Sequence, residues 1–196
     1  FSKYYKEGAL MDNLEVDLFD EQKLKLMLIE CQSFYSIFKS IDEKYISKQH
    51  ENIMNGVFDE DVNRNSITFL FPYVVNGAFA AELALKYIYA NSRVDYPKGS
   101  NGHRLKYLYD NLMKIEKSCI KKDQEALRNI LFNDGNQNEE TISRNLEIID
   151  CCFNDFRYFF SSNKNIAINN FFPFFVNSLC EYVLDKGKSL LDECFE

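Results

Sequence analysis

The chain holds two histidines, His50 and His103. Imidazole is the side chain best suited to moving protons near neutral pH, so any acid–base chemistry here falls first to them. His103 follows Gly102 and precedes a leucine-rich stretch, the position of a helix start, where unpaired backbone N–H groups favour anions. There it would act as an acid–base group or a phosphate contact; the plainer role is a packed helix-start residue bonded to nearby backbone. Arg104 beside it is a candidate substrate contact. Glu82 and Lys86 stand four apart on one face of a helix rich in Ala and Leu. An exposed pair of this kind contributes only ~0.3–0.5 kcal/mol. Set among apolar residues, Glu82 must instead find a partner, and His103 or Arg157 is the natural choice. A structural network and a catalytic one both fit that description. Arg157 shares a helical stripe with Asp150 and Asn154, which suits phosphate binding or an internal ion pair. Tyr158 would stack on a base or fill the core. The candidate catalytic set is therefore His103, Arg157 and Glu82, with Lys86, Arg104 and Tyr158 as substrate contacts.

Other chemistries find less support. The sequence contains no G-x-x-x-x-G-K-[ST], G-x-G-x-x-G, H-E-x-x-H or G-x-S-x-G, and no paired E-x-x-H helices for a di-iron centre. Six cysteines include no C-x-x-C, and Cys151 and Cys152 are adjacent, a poor geometry for bonding to each other. With so few histidines a zinc site is not expected, and reduced thiols in the core point to the cytoplasm. No cofactor, metal or membrane is expected as a partner. The net charge of −7 argues against coating nucleic acid by bulk electrostatics, but leaves room for a local basic cleft.

Helices must position these groups. Of 196 residues 46% are hydrophobic and 15% aromatic, with only three Pro and seven Gly, a composition for a packed all-α core rather than a turn-rich β fold. From Leu24 to Tyr45 apolar residues recur at three- and four-residue steps. Asp17 or Asp20 would cap that helix and Gly56 would close it, with a polar loop over 59–66. A second helix is expected from about Phe69 to Asn91, with Pro72 in its first turn. Its Ala-rich centre calls for close packing. Further helices are expected over about 103–115, 122–132, 139–160 and 168–192, broken by a loop at 133–138 (NDGNQN). Phe71-Pro72-Tyr73-Val74-Val75-Asn76 echoes Phe172-Pro173-Phe174-Phe175-Val176-Asn177 at a spacing of 101 residues, either a duplicated hairpin or two uses of aromatic-Pro as a helix start. Phe171, Phe172, Phe174 and Phe175 are dense for one helix face; they belong to the core, or in part to a surface for a partner. One domain is expected, with residues 1–65 as a helical extension packing on a 66–196 bundle.

The run NGAFAAELALKYIY, a loop, then GHRLKYLYDNL, over residues 76–112, resembles the second and third helices of HEPN domains. Phe156-Arg157-Tyr158 looks like the Arg-Tyr element of some standalone members. The resemblance implies an antiparallel up-down bundle, here of about five to seven helices, often dimeric. It implies a place among prokaryotic defence and toxin–antitoxin proteins, many of them metal-independent RNases and others inactive partners or nucleotide-binding modules. Active members pair an Arg with a His four to six residues later on a late helix. That motif is missing, because no histidine follows Arg157 and Arg93 lies ten residues before His103. Three functions stay open: RNA binding or cleavage through a non-standard His103–Arg157–Glu82 centre, a silent module that binds a protein or its own copy, and a nucleotide pocket with Arg157 and Lys86 on the phosphate.

Overall fold

The computed structural model describes residues 4–132, 138–150 and 169–193, with backbone alone over 4–19. The described residues are helical and contain no strand. Helix α1 (Tyr4–Ile41) passes through a π-helical turn (Asp42–Ile46) into α2 (Ser47–Met54). It begins well before Asp17 and Asp20, so neither caps it. Acidic residues cost only tenths of a kcal/mol in a helix body, and no proline occurs before Pro72 to stop the chain earlier. Leu28, Cys31 and Phe38 of α1 are fully buried. Gly56, at φ 66°, ends α2 as its type suggests.

Helix α3 (Glu60–Asn91) starts nine residues before the expected Phe69. The Asp59 carboxylate accepts a bond from the Val62 N–H at 3.0 Å, and Glu60 and Asp61 place negative charge in the first turn. That cap and those charges outweigh the polarity that made 59–66 look like a loop. Pro72 is consequently inside the helix, where it cannot donate to the Thr68 carbonyl. Its exposure leaves that carbonyl within reach of water. At the other end Arg93 adopts φ 51°. Its N–H donates to Ala90 O and the Val94 N–H to Tyr89 O, both at 2.9 Å. This is a Schellman ending with arginine where glycine is usual.

The remaining helices are α4 (Leu105–Lys114), α5 (Lys121–Phe132), α6 (Glu139–Ile149), α7 (Phe171–Lys186) and α8 (Lys188–Asp192). Helix α3 packs chiefly on α1 and then on α7. Its small central residues permit this approach: a Cβ on Gly77 would stand 2.6 Å from a Phe38 ring carbon and 3.0 Å from Phe172. Phe171, Phe172 and Phe175 are buried and Phe174 packs against the core, so the aromatic cluster is interior. Pro173 occupies the first turn of α7, where its missing N–H costs nothing. The two echoing segments thus place proline differently, one mid-helix and one at a start. Between helices, buried Asp123 of α5 holds Tyr182 and Lys186 of α7, and Gln124 Nε2 donates to the Leu112 and Ile115 carbonyls that end α4.

Cys31 and Cys180 are buried free thiols and Cys119 an exposed one; Cys151, Cys152 and Cys194 lie outside the described residues. By length and composition α3 would suffice to cross a bilayer, yet half of its apolar window is buried inside the protein.

Candidate functional site

Glu82 and Lys86 occupy successive turns of α3, which puts both side chains on one face. Glu82 is only 1% exposed. Its neighbours Ala80, Ala81 and Ala84 are buried methyl side chains with no polar atom to offer it. Lys86 Nζ reaches Glu82 Oε1 at 2.6 Å, and His103 Nδ1 approaches the same oxygen at 3.0 Å. The second oxygen, Oε2, is buried and has no hydrogen-bond partner among the described residues. The His103 side chain is 46% exposed, so the pair joins a buried carboxylate to an imidazole that meets solvent. A carboxylate oxygen accepts, so in this contact His103 Nδ1–H is the donor that suits Glu82 Oε1.

The loop between α3 and α4 delivers His103 to Glu82. Its last part is a 3-10 turn (Gly99–His103), which His103 closes; α4 opens two residues later at Leu105. The expected helix-start position for His103 is therefore corrected. Buried Gly102 permits the turn, since a Cβ there would stand 2.6 Å from the Pro97 carbonyl oxygen. Tyr96, on the same loop, presents its ring to Lys86 Nζ at 5.3 Å from the centroid. Lys86 thereby lies between a carboxylate and an aromatic face.

The N-terminus of α4 is already occupied by the protein's own carboxylate. Asp150 Oδ1 accepts from the backbone N–H of Lys106 at 2.7 Å and of Tyr107 at 3.3 Å, and its backbone oxygen accepts from the Leu105 N–H at 3.2 Å. Arg104 Nε donates to Asp150 Oδ2 at 2.7 Å. Asp150, just past α6, thus caps a helix more than forty residues earlier in the sequence. Phosphate binding at this helix end, one of the two roles considered for His103, has no vacant N–H groups to use.

Of the six residues selected from sequence, Glu82, Lys86 and His103 converge on one oxygen. Arg104 stands beside them in an ion pair with Asp150, while Arg157 and Tyr158 lie outside the described residues. Sequence reasoning missed Tyr96 and the capping role of Asp150. Both are contacts made across loops, which helical periodicity does not encode. Among the described residues no group of three or more His, Cys, Asp or Glu side chains is placed to hold a metal. No protein-family model, curated protein or solved structure matches the chain.

Proposed function

We propose that the chain is a cytoplasmic, HEPN-like up-down bundle that binds RNA and cleaves it through His103, without a cofactor or metal, in a defence or toxin–antitoxin setting. The observation that carries this reading is the convergence of Glu82, Lys86 and half-exposed His103 from two separate elements. Glu82 fixes the imidazole by its Nδ1–H, which makes Nε2 the nitrogen that takes a proton from the ribose 2′-OH and returns one to the leaving oxygen. Lys86, with Arg104, supplies positive charge for the phosphate as it gains negative charge. The resemblance over residues 76–112 supports the choice of RNA. The test is incubation of purified protein with total RNA. Wild type is expected to cleave, and His103→Ala to lose about a hundredfold or more in rate. Cleavage unchanged in His103→Ala removes this centre, and neither cleavage nor binding of RNA removes the function.

A second reading, a silent module that pairs with its own copy, is favoured by a different surface. Ile53, Met54, Val57 and Phe58 at the end of α2, with Ile67 on α3, are all more than half exposed. Grouped apolar exposure of this kind marks association surfaces. Light scattering would then report a dimer that Phe58→Glu converts to monomer, and a monomeric wild type would overturn it.

A further inference from the structure

Three contacts set α7 antiparallel to α1 and fix their register. Leu28 meets Gly187, where a Cβ would stand 2.4 Å from the leucine side chain. Tyr35 Oη lies 3.0 Å from both Asn177 Oδ1 and Glu181 Oε1. The Phe38 ring meets Phe172 edge-on, with 6.0 Å between centroids. Cys31 falls on the same stripe of α1, three residues after Leu28 and four before Tyr35. Cys180 falls on the facing stripe of α7, three residues after Asn177 and seven before Gly187. The register thus sets one cysteine opposite the other, and both are fully buried free thiols. Cys31 donates to the Ala80 carbonyl oxygen at 3.5 Å, and its sulfur takes a hydrogen bond from the Cys180 thiol. Neither cysteine belongs to the site around His103.

We propose that Cys31 and Cys180 form a redox latch, which a small-molecule disulfide such as oxidised glutathione closes by joining them and so locking α7 onto α1. While the helices stay packed the pair is inert, because burial pushes the Cys180 thiol up and little nucleophilic thiolate forms. Reaction therefore waits for α7 to lift from α1. One thiol, exposed by that opening, loses its proton to solvent and attacks the glutathione disulfide. A mixed disulfide forms and one glutathione leaves. As the helices come back together the second thiol loses its proton and attacks the protein sulfur of the mixed disulfide. The second glutathione then leaves. Two protein thiols are oxidised to one disulfide, and one glutathione disulfide is reduced to two glutathione thiols. In a cytosolic protein such a bond is transient and redox-sensing.

Incubation of the full chain with excess oxidised glutathione, followed by thiol blocking and peptide mapping by mass spectrometry, tests this. A peptide linking Cys31 to Cys180 is expected. The urea midpoint should rise by about 1 M or more, and dithiothreitol should reverse the rise. Urea well below the midpoint should speed the cross-linking, since it favours the open form. Cys31→Ala and Cys180→Ala each remove the midpoint shift, whereas Cys119→Ser, at an exposed thiol, leaves it. The peptide map of the wild type decides the matter even if an alanine variant fails to fold. Recovery of Cys31 and Cys180 as free thiols, as mixed disulfides or bonded to other cysteines overturns the latch. So does a cross-link that leaves the midpoint unchanged.

Discussion

Glu82 makes two contacts through one oxygen, an ion pair with Lys86 and a hydrogen bond with His103. Stability and activity should therefore separate by residue. Glu82→Ala strips a buried charge partner and is expected to cost about 3–5 kcal/mol. His103→Ala removes a half-exposed ring and is expected to cost under about 1 kcal/mol. Urea melts of the two variants check the order, which an exclusively structural role for His103 would reverse. Gly102→Ala forces a Cβ onto the Pro97 carbonyl, a backbone atom that cannot swing aside. About 1–3 kcal/mol should be lost, with RNA cleavage falling as His103 is displaced; paired melts and cleavage assays read both. At this scale the Glu82–His103 contact was legible, since a carboxylate in an Ala-rich helix needs a partner and few candidates exist. Tyr96 was not, because nothing in the spacing of a loop tyrosine shows where its ring comes to rest.

Helix α3 shows how local signals compete. Aspartate at a cap outweighed proline as the marker of the helix start, and Pro72 was left in an exposed position inside the helix. Proline there is worth up to about 3 kcal/mol less than alanine. Pro72→Ala is thus expected to raise the denaturation midpoint, since it restores a backbone donor toward Thr68 at an exposed site. Asp59→Ala should lower it by about 1 kcal/mol through loss of the cap. Chemical denaturation of both variants measures the contrast. The existence of α1 and α4 followed from the three- and four-residue spacing of apolar residues such as Leu28, Cys31, Leu105, Leu108 and Leu112. The starts of α1 and α3 did not, because helices end where caps and breakers decide, and here an early cap and the lack of an early proline moved both starts upstream.

Across the whole molecule the core is rich in tyrosine as well as phenylalanine. Burial pushes the hydroxyls of Tyr35, Tyr73, Tyr87, Tyr89 and Tyr182 above their ordinary range, and that of Tyr109 to about 12. For Tyr182 the bond to Asp123 adds to burial. The sign follows from which state holds the proton. Below the ordinary value of 10.0 both states are protonated and stability is flat. Above it the unfolded chain loses protons that the folded chain keeps, so stability falls between pH 10 and about 12 for Tyr109. Part of the phenolate absorbance, that of these buried tyrosines, is expected to rise only together with loss of helical circular dichroism in an alkaline titration. That the chain would bury a large aromatic core was plain from composition. Which aromatics lie inside was plain for Phe38 by periodicity, and undecided for Phe171, Phe172, Phe174 and Phe175, where four phenylalanines in five residues exceed one helical stripe.

Asp150 gives the molecule a clock as well as a cap. Because its carboxylate receives the amide protons of Lys106 and Tyr107 and the Arg104 guanidinium, α6 cannot swing away without exposing the first turn of α4. Those two amides should exchange with deuterated solvent at one shared rate, set by the opening of α6 rather than by fraying of α4. Asp150→Asn should accelerate both together, and a ligand seated against His103 should slow them without touching either.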